Sequence, residues 1–417
     1  MPLSVILVIA FVIRMVAAFF SKGYAFSDDH FDVITIAQGW LDGLPLWLNE
    51  PMPPRHSMLY VLLHYGLFYT LEAMGIFSPE VKMTVVRVLH GLYSLLIVYF
   101  GYKLTERLSN KVNARLVGLM LALVWFMPFM SVRNLVEMVC IPPYLAAFYL
   151  MLRQEQSAEK RLMPYFWAGT LFALAFTFRY HTVLLGAGAG LVILYRQQWR
   201  EALSLLLGFA VGAMLIQGTI DIIFFDYPLH SIVAYFMYNT EHAYGYSTGP
   251  VYRFALTILG FLVPPVSAFL VMGYSRTIKL APALFWGGLI FFVAHSLFPN
   301  KQERFILPLL PLVMILGVIG WQDFVKTSSF WHKRRKLLAA SWGFFWVVNI
   351  LAAVGLAFTY TKKSRVAPLV YLSEKQHMDA VVLEFGNHSV KMPPLFYLNR
   401  ISAEYDYYII DEDVVWE

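Results

Sequence analysis

Leu-Ser-Val-Ile-Leu-Val-Ile-Ala-Phe-Val-Ile-Arg-Met-Val-Ala-Ala-Phe-Phe, residues 3–20, carries a single charged side chain, Arg14. About 20 consecutive apolar residues reach across the hydrocarbon core of a bilayer, so this run predicts a membrane span. It lacks the basic leader and small-residue cleavage site of a removable signal, and the stretch from Pro2 to Phe20 reads as a retained first span. Comparable apolar runs recur near 84–103, 113–130, 135–152, 163–178, 181–195, 201–224, 251–273, 281–297, 305–321 and 337–360, which gives about eleven transmembrane helices. The expected fold class is therefore an all-α polytopic membrane protein.

Composition points the same way. The 417 residues are 59% hydrophobic and 14% charged, where a soluble domain carries roughly 25% charged residues. Soluble enzyme folds are excluded. The one cysteine, Cys140, lies in an apolar run and leaves neither an intramolecular disulfide nor a cysteine-based metal site. A net charge of +6 does not imply nucleic acid, because half of the basic residues fall in five short loops, such as the one holding Lys103, Arg107, Lys111 and Arg115. With the N-terminus in the cytoplasm all five loops are inside, as the positive-inside rule requires.

That orientation sends the unusual polar residues to the outer face. The first outer loop, 21–83, opens with Phe26-Ser27-Asp28-Asp29-His30 and continues into a helical stretch from Asp32 to Asp42. It then passes a proline-rich turn and Arg55-His56-Ser57, and reaches an apolar run, Met58 to Ala73, whose His64 and Glu72 mark it as an interfacial helix rather than a span. Residues 1–360 form the membrane domain, and 361–417 a small outer C-terminal segment with strand-like runs Val381-Val382-Leu383 and Tyr407-Tyr408-Ile409-Ile410.

Two adjacent carboxylates, Asp28 and Asp29, at a membrane boundary suit a general base. The same residues suit a helix N-cap, and the two roles are compatible. Arg14, Arg55, Arg133, Arg179 and Arg304 lie within or at the outer ends of spans. A charge at such depth is a functional candidate, while snorkelling or a structural ion pair, such as Arg133 with Glu137, is the plainer alternative for each. Cations beside carboxylates at that depth are suited to the phosphate of a lipid-linked donor. Outer Trp40, Trp47, Tyr235, Tyr238 and Tyr244 fit either sugar stacking or an interfacial belt.

These residues resemble the GT-C superfamily of glycosyltransferases, and most closely glycosyltransferase family 22, whose members use dolichyl-phosphate-mannose to build lipid-linked oligosaccharides and glycosylphosphatidylinositol anchors. Arg14 followed by Phe26-Ser27-Asp28-Asp29 resembles the family's first-span arginine and acidic motif. Arg55-His56-Ser57 resembles its "RS", and Ser131 through Glu137 its "sRtfsNslE". Phe178-Arg179-Tyr180 matches the arginine after the fifth span, and Ile220-Asp221 through Tyr238-Asn239 the "vDs" to "yN" stretch. Asn300-Lys301-Gln302-Glu303-Arg304-Phe305-Ile306-Leu307-Pro308 matches "HKE.RFilP", with Asn300 and Gln302 in place of the family's histidine and glutamate.

The resemblance implies a GT-C fold and an integral-membrane, inverting glycosyltransferase, expected to transfer mannose from a polyprenyl-phosphate donor to a lipid-linked glycan or glycolipid acceptor on the outer face. The membrane would be a bacterial inner membrane or that of the endoplasmic reticulum. Asp28 is the favoured base and Asp29 the alternative. Donor phosphate or substrate contacts fall to Arg55, Arg133, Arg179, Asn300, Lys301 and Arg304. Acceptor or structural roles fall to His30, Glu137, Asp221, Tyr238 and Asn239. No cofactor is expected: metal-independent transfer is favoured, although Asp28, Asp29 and His30 could hold a divalent cation. The rival reading is a transporter or lipid-linked sugar flippase, for which paired hydropathy repeats would be the mark.

Overall fold

The computed structural model describes residues 1–47, 57–225, 227–375 and 393–399. It is built of helices: α1 (Leu3–Phe20), α2 (Met58–Ala73), α3 (Pro79–Leu108), α4 (Lys111–Leu123), α5 (Val136–Glu155), α6 (Met163–Phe178), α7 (Tyr180–Tyr195) and α8 (Trp199–Phe224). There follow α9 (His230–Glu241), α10 (Arg253–Phe261), α11 (Val266–Ser275), α12 (Pro282–Leu297), α13 (Glu303–Thr327), α14 (Arg335–Ala357) and α15 (Lys363–Ser373). Among the described residues there is no strand, only one isolated bridge between Thr248 and Asn300.

Among the described residues six helices, α1, α3, α5, α8, α13 and α14, are long and apolar enough to cross a membrane; α6, α7 and α12 are shorter apolar helices. The eleven runs read from the sequence fall largely on helix, but six of them coincide with helices that meet the length and apolarity of a span, and two are broken. The run 251–273 is a pair, α10 and α11, bent by 120°, because Pro264 and Pro265 between them have no N–H to continue a helical ladder. The run 113–130 stops at Val124 and restarts at Phe126–Ser131. Pro128 cannot donate to the Val124 carbonyl, which accepts from Met127 instead at 2.7 Å, and the freed Trp125 N–H donates to Asn349 Oδ1 at 3.0 Å. The strand-like runs expected at 381–383 and 407–410 lie outside the described residues.

Two compact units divide the chain. The first draws its described residues from Met1–Ser21, Pro54–Leu59 and Arg87–Thr359, the second from Lys22–Pro53, Tyr60–Val86 and Tyr360–Glu417. In the first unit, Arg14 is fully buried. Its Nε donates to Ser94 Oγ at 2.8 Å, and its terminal nitrogens donate to the Leu121 and Ala122 carbonyls at 3.1 and 3.5 Å. Carbonyls at a helix C-terminus have no intrahelical partner, so this guanidinium holds α3 and the end of α4 against α1. Arg14 is a brace, not a member of an outer cationic cluster.

Helix crossings in the same unit rest on glycine. Added Cβ atoms on Gly169 and Gly208 would strike the backbone carbonyls of Leu205 and Phe166 respectively, so α6 and α8 touch main chain to main chain. Gly188 meets Gly287 between α7 and α12, and Gly273 meets Gly317 and Gly320 between α11 and α13. Small residues allow this approach where lipid supplies no hydrophobic drive between helices. In the second unit, the Lys82 ammonium is fully buried and pairs with Glu72 at 2.5 Å and Gln38 Oε1 at 2.9 Å. Gln38 Nε2 donates to Asp42 and Glu72, both at 2.9 Å. One network thus fastens the helix Ile36–Leu41, α2 and the first turns of α3 together, with Glu72 as its centre.

The crossings carry a prediction. Gly208→Ala and Gly317→Ala should each cost about 1–3 kcal/mol through overpacking. Gly343→Ala, whose Cβ would meet open space, should be neutral or stabilising by up to ~1 kcal/mol through helix propensity. Thermal unfolding of the purified protein in detergent separates the three, and equal melting points for Gly208→Ala and Gly343→Ala would refute the assignment.

Candidate active site

Three charged side chains meet in the first unit, each from the end of a helix. Glu137 stands in the first turn of α5, Arg179 just past α6 in extended backbone that stops that helix, and Arg304 in the opening turn of α13. Glu137 has no exposure; Arg179 and Arg304 keep 6% and 7%. Both guanidiniums stand on the same carboxylate oxygen, Arg179 Nη2 at 3.4 Å and Arg304 Nε at 3.7 Å, and Arg304 Nε also donates to Gln302 Oε1 at 3.0 Å. The Phe305 ring lies 4.7 Å from the Arg179 guanidinium carbon and 5.7 Å from that of Arg304. Cations over a ring face are attracted electrostatically by the ring's quadrupole. Beneath, Tyr144 Oη donates to the Pro308 carbonyl at 2.5 Å and fixes the turn that carries Arg304.

Two histidines adjoin these arginines. The ring of His181 packs edge-on to that of His295 at 4.9 Å, and Tyr235 Oη lies 3.3 Å from His181 Nε2. His295 Nδ1 lies 2.8 Å from the Phe291 carbonyl and must donate to it, which leaves Nε2 as a buried acceptor with no hydrogen-bond partner among the described residues.

The remaining predicted residues of this unit have local duties. Lys301 is buried, and its ammonium donates to the carbonyls of His295 at 2.9 Å, Ser296 at 2.8 Å and Phe298. All three of its hydrogens therefore cap the C-terminus of α12, and burial lowers its pKa. Asn300 pairs with Thr248, and the Lys301 N–H donates to the Ser247 carbonyl at 2.9 Å. The Asn300 Oδ1 is buried without a hydrogen-bond partner among the described residues. Arg133 donates to Ser21 Oγ at 2.7 Å and covers the Phe129 ring at 4.5 Å. Asp221 accepts from Ser231 Oγ at 2.6 Å, Ser231 N–H at 3.1 Å and Gln217 at 2.8 Å, so it caps the start of α9. On α9, Asn239 donates to the Tyr235 carbonyl at 2.8 Å, and the Tyr238 ring stacks on His242 at 4.2 Å. Arg55 lies outside the described residues.

The acid pair belongs to the second unit. Ser27–Asp29 is a short helical turn that passes directly into wider, π-helical backbone over His30–Thr35. Asp28 is exposed and Asp29 is 7% exposed. His30 is fully buried, stacked between Tyr24 at 4.4 Å and Tyr397 at 5.3 Å, and among the described residues neither ring nitrogen has a hydrogen-bond partner. Burial, helped by the charges of Lys362 and Arg365, lowers its pKa to about 3. His30 is a neutral packing residue that holds the acid turn in place.

The sequence reading missed Lys362. Its ammonium donates to Ser27 Oγ at 3.1 Å and lies 4.4 Å over the Tyr24 ring, beside the acid turn. It gets there because Thr361 N–H and Oγ1 both donate to the Lys22 carbonyl at 3.0 Å, an approach that leaves no room for a Cβ on Gly23. A signal was present: Lys362, Lys363 and Arg365 follow the last span on the side that the positive-inside rule assigns to the exterior, against that rule.

Known proteins resemble this chain over most of its length. A model of the Alg9-like mannosyltransferase family matches residues 5–398. GPI mannosyltransferase 3 of Yarrowia lipolytica is 24% identical over 395 residues, covering 92% of this chain and 73% of that protein. Among solved structures, ArnT from Cupriavidus metallidurans bound to undecaprenyl phosphate is similar with a TM-score of 0.68 at 15% identity, over 95% of this chain and 84% of that one. The Archaeoglobus fulgidus oligosaccharyltransferase tethered with an acceptor peptide reaches a TM-score of 0.55 at 13% identity, over 90% of this chain and 57% of that one. At such identities the structural likeness shows the fold, which is GT-C.

The state of His30 sets a pH dependence. Its folded pKa lies below the ordinary ~6.5, so as the pH falls below that value the unfolded chain takes up a proton that the native state refuses. The stability contributed by neutral His30 is complete above about pH 6.5 and declines toward pH 3 by up to ~1.4 kcal/mol per unit. His30→Phe keeps the ring stack and removes the titration, so its melting temperature should fall less between pH 6 and pH 4 than that of the wild type. Parallel pH profiles would contradict the buried neutral histidine.

Proposed function

The chain belongs to the Alg9-like mannosyltransferase family, and from that premise we propose that it transfers mannose from a polyprenyl-phosphate donor to a lipid-linked glycan or glycolipid acceptor, with inversion at the anomeric carbon. Arg179 and Arg304 bind the donor phosphate. Guanidinium groups present paired N–H donors to phosphate oxygens, and the shared Glu137 oxygen and the Phe305 ring hold both cations at fixed positions. The observation that carries this reading is that buried triad, built on the family's arginine and "RF" positions. Lys301 shapes the loop that bears Arg304 by capping α12. The free His295 Nε2 accepts a hydrogen bond from a donor sugar hydroxyl.

Asp28, exposed and directly before the buried Asp29, takes the proton from the acceptor hydroxyl. The alkoxide oxygen forms its bond to C1 of the sugar as the C1–O bond to phosphate breaks from the opposite face, and the electron pair leaves with the polyprenyl phosphate. Asp29 orients the turn, and Lys362 sets its electrostatics from Ser27. The leaving group is an ionised phosphate that needs no proton, and cationic side chains suffice to offset its charge, so metal-independent transfer belongs to the proposal. No observation favours the transporter reading.

The test is transfer by the purified protein, supplied with polyprenyl-phosphate mannose and membrane-extracted glycolipid acceptors, with products resolved by mass spectrometry. Asp28→Asn should lower kcat by ~10²–10⁴-fold, and Arg304→Gln should raise the KM for donor far more than it lowers kcat. Full transfer by both Asp28→Asn and Asp29→Asn would sink the base assignment, and uptake of donor without transfer would revive the transporter. Activity should survive chelation by EDTA; loss restored by a divalent cation would overturn the metal-independent step.

A further inference from the structure

At the opposite end of the first unit from the outer loops lies a cavity of about 390 Å³ that the reaction does not use. Its lining includes Leu3, Tyr102, Lys103, Glu106, Lys111 and Arg115. It is formed where the start of α1, the last turns of α3 and the start of α4 come together, on the face that the basic loops assign to the cytoplasm. Lys103 and Glu106 neutralise one another at 2.9 Å. Lys111 and Arg115 are different: both are exposed, and among the described residues neither has an ion pair or a side-chain hydrogen bond.

Their position is electrostatically unfavourable without a ligand. They lie four residues apart on one face of α4, so their charges repel. They also occupy the N-terminal end of that helix, where the backbone dipole disfavours cations. Across the cavity the first turn of α1 has no side-chain cap, since Pro2 occupies its N-cap position, and its unbonded N–H groups add further positive potential. Topology signalling alone accounts for basic residues in this loop, but not for two unpaired cations at a helix N-terminus lining a cavity. An anion resolves both penalties.

We propose that this cavity binds the phosphate of an anionic phospholipid headgroup, with Lys111 and Arg115 as its ligands. Its volume accommodates a phosphate with its substituents rather than a single small ion. Its place at the cytoplasmic ends of three helices is where headgroups of that leaflet lie and where clustered Lys and Arg attract anionic lipid. A soluble phosphate compound would use the same chemistry.

Thermal unfolding of the delipidated full-length protein in neutral detergent separates these sources. Phosphatidylglycerol should raise the melting temperature by about 3–5 °C, phosphatidylcholine should not, and the rise should vanish in the double variant Lys111→Gln/Arg115→Gln while persisting in Arg153→Gln, an exposed inner-loop control outside the cavity. A comparable rise with sodium pyrophosphate, also lost in the double variant, would keep the anion site and assign it to a soluble ligand. Equal rises with both lipids, no rise with any anion, or an undiminished rise in the double variant would overturn the proposal. Native mass spectrometry of the wild type from mixed micelles gives a reading independent of the variants: preferential retention of phosphatidylglycerol is expected, and equal retention of both lipids would refute it.

Discussion

The first unit is organised around a carboxylate that has no contact with solvent. Moving an ion of this kind out of water costs several kcal/mol even after relaxation, and Glu137 meets that cost with two guanidiniums on one oxygen. Those partners come from the end of α6 and the start of α13, so the ion triad ties two helix ends to the start of α5. Taking away the carboxylate would leave two cations facing one another inside the protein. A buried ion group of this sort adds little net stability compared with apolar packing. What it supplies is two arginines already desolvated and already oriented before any phosphate arrives, which is the preorganisation that electrostatic catalysis requires.

That preorganisation depends on the glycine crossings. Helices whose main chains touch have little freedom to slide, and α6 is pinned to α8 through Gly169 and Gly208, as α13 is to α11 through Gly273, Gly317 and Gly320. Arg179 extends from the end of one pinned helix and Arg304 from the start of another. Chemistry at the ends and close packing in the middle divide the labour of each span: polar side chains in the apolar interior are expensive, whereas the ends have unsatisfied backbone groups and access to substrate.

The same division explains how much could be read from sequence. Helices α1 and α6 coincide with the predicted runs to the residue, and α2 with the run assigned to the interface, because apolar periodicity and flanking polar residues fix them locally. The charged residues at helix ends were legible as candidates but not as roles. An ammonium near a helix C-terminus can face substrate or cap carbonyls, and Lys301 caps. Asp221 proved to be the cap of a helix ten residues further on, and Arg133 found Ser21 rather than the nearby Glu137. Such outcomes depend on which helix end lies alongside, which is tertiary information. The 120° bend at Pro264 and Pro265 belongs to the other kind of miss: hydropathy continued through a break that backbone chemistry had already signalled.

Lys362 shows why departures from a statistical rule are worth more than agreements with it. Basic residues in inner loops are expected for orientation alone, so their presence there says little about chemistry. A run of them after the last span, on the face where the rule disfavours them, needs another cause. In the second unit Lys362 reaches Ser27, immediately before Asp28, and the return of the chain past Gly23 leaves no space for a larger residue at that point. A cation held there places a positive charge beside the acid turn. The segment following the last span thereby becomes part of the acid turn's electrostatics, although it lies more than 300 residues away along the chain.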